Sequence, residues 1–247
     1  MTARTFMKSV GVASAALVAL SVPGFASDIT PPPEGRKFEW NVTGTVTSDY
    51  VFRGVSLSDE EPAFQAAIDA SYGIFYAGVW GSSLEGEGFE PVELDFYAGI
   101  KPALGPVTFD FGVVYYTYFW GSPSDTNYVE LKAGAEFSPI TNLTLAPVFW
   151  YTPDQDNYAE TYTIEGTASY EFAAIRGWTP TISGLVGYTE SSDDGFFFDE
   201  DDYTYWNVGL SLAYDKFTFD FRYWDTNLSD VDEADERFVF TASVSLY

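Results

Sequence analysis

Trp40-Asn41-Val42-Thr43-Gly44-Thr45-Val46-Thr47-Ser48-Asp49-Tyr50-Val51-Phe52-Arg53 is the stretch whose reading decides the fold. Trp40, Val42, Gly44, Val46, Tyr50 and Phe52 share one parity, while Asn41, Thr43, Thr45, Thr47, Asp49 and Arg53 share the other. Successive side chains of a strand point to opposite faces, so this stretch has one apolar and one wet face. The pattern returns about a dozen times up to the last residue. Such repetition is the signature of a transmembrane β-barrel.

Working outward, alternation predicts twelve strands: 39–52, 63–72, 74–83, 92–101, 107–119, 128–137, 143–151, 159–172, 178–189, 203–214, 216–224 and 237–247. Pro147 and Pro180 each lack a ladder donor and are expected near a rim or a bulge. The connections alternate as an up-and-down barrel requires. Gly73, 102–106, 138–142, 173–177 and Asp215 form short links; 53–62, 84–91, 120–127, 152–158, 190–202 and 225–236 form longer ones. The longer links hold 22 of the 37 acidic residues, no Lys, and Arg53 alone among the bases. Lys101, Arg176 and Lys216 fall on the short-link side. Loop length and charge sign thus agree on external acidic loops with both termini periplasmic.

The start of the chain reads as export. Arg4 and Lys8 precede an apolar run from Val10 to Val22, and Gly24-Phe25-Ala26 supplies the small residues of a cleavage site. A membrane-anchoring helix is the alternative, but the run is short and Pro23 ends it. The expected organisation is a signal peptide at 1–26, a Pro-rich lead-in at 27–38 containing Pro31-Pro32-Pro33, and a barrel at 39–247. No later run is long enough for a membrane helix, so strands closed into a barrel must do any spanning.

Composition removes several function classes. Without Cys there are no disulfides, thiolate metal sites or Cys nucleophiles. Without His there is no Ser-His-acid triad and no imidazole acid/base catalysis, so no enzyme is expected. The net charge of −26, or −28 without Arg4 and Lys8, argues against nucleic acid as a partner. An aromatic content of 19% argues against the disorder such charge would otherwise suggest.

Ser48-Asp49-Tyr50-Val51-Phe52-Arg53-Gly54-Val55-Ser56-Leu57-Ser58-Asp59, followed by Pro62-Ala63-Phe64-Gln65, resembles the opening of the proteobacterial TorF-type porin family. Phe75-Tyr76-Ala77-Gly78-Val79-Trp80-Gly81-Ser82 and Glu93-Leu94-Asp95-Phe96-Tyr97-Ala98-Gly99 are similar to its next two blocks. The likeness covers 44–136 best. It implies a signal peptide and a porin-type barrel in the outer membrane of a Gram-negative bacterium. One departure is the C-terminus: Phe238, Phe240, Ala242, Val244 and Leu246 share a parity that the terminal Tyr247 does not.

Three constellations bear on function. The wet parity places Asp49, Asp69, Glu93, Asp95, Asp110, Glu130, Glu136, Glu165, Glu171 and Asp220 inward, with Arg53, Lys101, Lys132, Arg222 and Arg237. Ten acids against five bases would line a cation-preferring pore, or pair as the polar core of a plugged barrel. Large inward side chains would favour the closed barrel, and small ones the pore. Second, the loop acids Asp193, Asp194, Asp199, Glu200, Asp201 and Asp202, and Asp230, Asp232, Glu233, Asp235 and Glu236, read as a solvated rim. Asp199, Asp201, Asp202, Asp230 and Asp232 are also candidate oxygen ligands for Ca²⁺ or Mg²⁺, or for cations shared with anionic surface lipid. Phe196-Phe197-Phe198 between them anchors the loop, folds back as a plug or meets a ligand. Third, Trp80, Tyr115, Tyr116, Tyr118, Phe119, Trp120, Phe149, Trp150 and Tyr151 suit interfacial girdles, or aromatic tracks for a sugar.

The expectation is a passive diffusion channel for small cationic or neutral solutes. Its partners would be outer-membrane lipid and lipopolysaccharide, the barrel assembly machinery and those solutes. A closed structural or surface-binding barrel with cation-binding loops is the alternative.

Overall fold

A computed structural model describes residues 37–85, 92–119, 127–156 and 158–246. The expected signal peptide, residues 27–36 of the lead-in, Trp120 and Tyr247 lie outside them. Twelve wall strands follow in chain order: β1 Phe38–Thr47, β2 Ala63–Tyr72, β3 Phe75–Ser83, β4 Val92–Ile100, β5 Val107–Phe119, β6 Tyr128–Ile140, β7 Leu143–Thr152, β8 Thr161–Glu171, β9 Thr179–Ser191, β10 Asp202–Tyr214, β11 Phe217–Thr226 and β12 Arg237–Leu246. Each pairs antiparallel with its sequence neighbours, and β1 closes the sheet on β12 in the register Val42↔Leu246 to Thr47↔Thr241. The fold is all-β, a closed antiparallel barrel. Among the described residues no helix is long and apolar enough to cross a membrane.

Alternation sets the register, because a slip of one residue would turn every apolar side chain inward. The apolar parity faces out: Phe64, Ile68, Ile164, Val208 and Phe221 are exposed, and Phe238 is 82% exposed. A belt of that size on a water-soluble surface would aggregate, whereas lipid covers it. The other parity faces in and is cross-linked by hydroxyls. Thr47 meets Thr241 at 3.0 Å, Thr45 meets Ser243 at 3.0 Å and Thr163 meets Thr189 at 2.7 Å.

Short turns join the strands at one end and long loops at the other. At the short-turn end, Gly73 and Asp215 take positive φ in the two-residue links 73–74 and 215–216. Both ends of the described wall, Phe38 and Leu246, lie at this end as well. Pro180 is the second residue of β9. Pro147 sits within β7, whose pairing with β6 shifts register between Leu143 and Leu145.

The first strand departs from expectation. Alternation predicts 39–52 as one wall strand, but the wall ends at Thr47. Tyr50 and Phe52, expected on the lipid face, are 2% and 5% exposed and lie inside the barrel. Val51–Phe52 and Val55–Ser56 pair with each other as a separate small sheet. Arg53 and Gly54 form its two-residue turn, both with positive φ. Residues 53–58, expected in an external loop, are buried too. Chain continuity misled the reading, since parity persists whether a strand stays in the wall or leaves it.

Candidate functional site

The lumen has two halves. Toward the long loops it is filled. The hairpin of residues 49–58 inserts Tyr50, Phe52 and Leu57 among Trp80, Tyr116, Tyr118, Tyr128, Trp150 and Tyr158. The tyrosines stack, Tyr116 on Tyr128 at 4.5 Å and Tyr128 on Tyr158 at 4.1 Å between ring centres. Trp80, Tyr116, Tyr118 and Trp150, expected in lipid girdles, are therefore part of this filling, while Tyr115, Phe119 and Phe149 do face outward. Tyr116 and Tyr118 share the parity of inward Asp110 on β5. On the other side of the hairpin, Val55 packs with Phe197, Tyr203, Tyr205 and Ala234. Phe197 thereby anchors its loop and caps the hairpin together.

The hairpin tip crosses the lumen. Arg53 donates to Glu130 on β6 at 2.8 Å, with its guanidinium 5.8 Å from the Trp150 ring centre on β7. Gly54 lies against Thr226 and Tyr205, on β11 and β10, where a Cβ would clash with both side chains. Arg53, expected inward at the loop-side rim, is buried inside the barrel at the hairpin turn. At the hairpin base, Asp49 accepts from Ser56 at 2.6 Å, Ser58 at 3.0 Å and Arg237 at 3.1 Å.

Glu93, Asp95 and Glu130 are fully buried in this half. Glu93 accepts from Tyr50 at 3.1 Å and Tyr118 at 3.1 Å. Glu130 accepts from Arg53, from Tyr116 at 2.9 Å and from Thr152 at 3.2 Å. Neither carboxylate oxygen of Asp95 has a hydrogen-bond partner among the described residues.

Toward the short turns the lumen stays polar and half-exposed. Asp110 accepts from Lys132 at 2.7 Å and Tyr76 at 2.7 Å, with exposed Lys101 at 3.9 Å. Asp220 pairs with Arg222 at 2.9 Å, and Arg222 also donates to Asn207 at 2.6 Å and Ser183 at 3.0 Å. Asp69 accepts from Tyr97. Tyr76 and Tyr97 lie flat along the wall, because Gly112 and Gly78 present no Cβ where those rings pass. That leaves the centre of this half clear of their rings. Glu165, at the boundary, accepts from Trp150 at 2.8 Å and Tyr205 at 2.7 Å. Glu136 is exposed and Glu171 half-buried, both near the short-turn ends of their strands.

Among the described residues Arg53 pairs with Glu130, Lys132 with Asp110, Arg222 with Asp220, and Arg237 with both Asp49 and Glu60. Of the acids outside the fully buried cluster, Asp69, Glu136, Glu165 and Glu171 have no ion pair among the described residues, so that part of the interior keeps more acids than bases.

The candidate metal ligands are scattered. Asp199, Asp201, Asp202, Asp230 and Asp232 are exposed, and Asp201 accepts the Gly195 N–H at 2.7 Å. Among the described residues no group of three or more acids converges as a metal site.

Residues 32–244 match the family described as "Bacterial protein of unknown function (Gcw_chp)". That description does not carry the TorF name of the opening block. No curated protein matches the chain. Among solved structures, a KdgM porin aligns with a TM-score of 0.58 at 10% identity, covering 84% of this chain and 99% of that one. A NanC porin aligns at 0.56 and 11% identity, covering 85% and 100%. A KdgM porin in complex with disordered oligogalacturonate aligns at 0.56 and 10% identity, covering 84% and 99%. At such identity the likeness establishes the fold, a porin-type barrel.

Proposed function

We propose that this chain, which belongs to the Gcw_chp family of bacterial proteins, is an outer-membrane channel for small cationic or neutral solutes. One observation carries the reading: a closed twelve-strand wall with an apolar outside and a polar, charge-bearing inside. Lipid cannot solvate open sheet edges, and a closed barrel has none. A soluble protein would gain nothing from turning its apolar parity outward.

The porin-type fold supports the same reading, as does the likeness of the opening block to TorF-type porins. The acids left without an ion pair would favour cations in transit, as rings of carboxylates do in cation channels. Long acidic loops would face the medium, and both termini the periplasm. Lipopolysaccharide, bridged through Ca²⁺ or Mg²⁺ to loop acids such as Asp199 and Asp230, would border the rim. The barrel assembly machinery would insert the chain.

The filled long-loop half favours a second reading, a closed structural barrel. Single-channel recording of the refolded protein in a KCl gradient separates the two. Discrete steps with a cation-selective reversal potential support the channel. Silence from a folded barrel at moderate voltage would sink it.

A further inference from the structure

We propose that the hairpin of residues 49–58 is a displaceable gate, latched by the buried Arg53–Glu130 ion pair. This rests on the channel reading and names its regulation.

Attachment is the first argument. Each wall strand is held by a long backbone ladder on both sides, but the hairpin forms its own two-pair sheet outside that ladder. Side chains hold it to the wall: Tyr50 bonds Glu93, Arg53 bonds Glu130 and Asp49 bonds Arg237, while Phe52, Val55 and Leu57 add apolar packing. The backbone bond from the Glu85 N–H to the Leu57 carbonyl, at 3.3 Å, ties it to the loop after β3. Side-chain bonds of this kind exchange for water without opening the barrel.

The second argument is that the wall is nearly satisfied without the hairpin. If Arg53 withdraws, Glu130 keeps Tyr116 and Thr152. If Tyr50 withdraws, Glu93 keeps Tyr118. Hydration of the vacated space serves the remaining acceptor sites. Asp95, on the same filled side, has both oxygens buried without hydrogen-bond partners among the described residues, and water entering the vacated space would serve them. Burying polar oxygens without partners is costly, so dry packing of this half around Asp95 works against the seated state. Apolar residues at these positions would make a tighter permanent plug. Opposed terms of this kind narrow the gap between seated and withdrawn states, which is what a two-state element needs.

The third argument is the hinge. The segment leaves the wall after Thr47 and returns through the exposed residues Asp59 and Glu60, both at positive φ. Non-glycine residues seldom adopt that backbone, so a turn there stores strain that withdrawal can release.

The absence of native Cys permits a direct test. The strand bearing Val55 lies beside the turn bearing Ala234 in one buried cluster, so Val55→Cys with Ala234→Cys is the pair chosen to cross-link the hairpin to the loop after β11. Single-channel recording compares this pair oxidised and reduced, and a chain in which residues 49–58 are replaced by a short glycine–serine linker. Oxidation should lower open probability by an order of magnitude or more, reversibly, and the linker chain should conduct in larger steps. Equal current from oxidised and reduced pairs, with the cross-link confirmed by mass, overturns the gate and leaves the channel standing. Silence from every form, including the folded linker chain, removes the channel reading and the gate with it.

Discussion

The two halves of one lumen are built from the same alternating strands, yet one is packed and the other wet. Toward the short turns, inward positions are mostly Thr, Ser and Gly with scattered charges, and Tyr76 and Tyr97 lie along the wall. Toward the long loops, inward positions are Trp80, Tyr116, Tyr118, Tyr128 and Trp150, and the hairpin completes the filling. The same backbone geometry therefore makes a conduit or a core, according to inward side-chain volume.

Substitutions should feel that difference. Trp80→Ala leaves a cavity in the packed half and should lower unfolding free energy by about 3–5 kcal/mol, measured by urea titration of the refolded barrel. Tyr76→Phe in the wet half removes one hydrogen bond and should lower it by about 1 kcal/mol. Equal effects would dissolve the distinction. The ion pairs give a second contrast. Arg53→Ala takes the charge partner from buried Glu130 and removes the latch, so it should lower stability by about 3–5 kcal/mol and leave the hairpin seated less of the time. Lys132→Ala should cost less, about 2 kcal/mol, because Asp110 keeps Tyr76 and lies near Lys101.

Gly54→Val sharpens the comparison at one point. A side chain there meets Thr226 and Tyr205 and needs positive φ, so the hairpin should unseat. Trypsin would then cut after Arg53 in the variant and spare it in the parent, where that side chain is buried; an uncut variant would place the hairpin elsewhere. The smallest effect is expected from Glu136→Gln with Glu171→Gln. Stability should stay within about 0.5 kcal/mol, while the KCl-gradient reversal potential moves toward zero. An unchanged potential would detach those acids from selectivity.

The wall was legible because lipid and lumen impose opposite demands on alternate residues, so Phe64, Ile68 and Val208 reveal their face by parity. Strand ends such as those of β2 and β5 follow directly. The hairpin was not legible. Tyr50 and Phe52 keep the parity of β1 after the chain has left the wall, and an inward hairpin wants apolar residues as lipid does. Gly54 between Phe52 and Val55 was the available signal, since the second position of a type I′ two-residue hairpin loop takes positive φ and favours Gly. The composition offered another: Asp49 is the only acid among residues 49–58, whereas the other long loops are acidic. Trp80 and Trp150 were misread because 74–83 and 143–151 alternate weakly, so aromatic composition alone decided their reading.

Cysteine accessibility tests the division of the lumen most directly, because every introduced thiol is the only one. Single variants Thr152→Cys and Thr163→Cys probe the packed half, and Ser71→Cys and Thr218→Cys the wet half. With a water-soluble maleimide on the refolded protein, Ser71→Cys and Thr218→Cys should label at least an order of magnitude faster than the other two. Equal rates at all four positions would contradict a lumen filled on one side and open on the other.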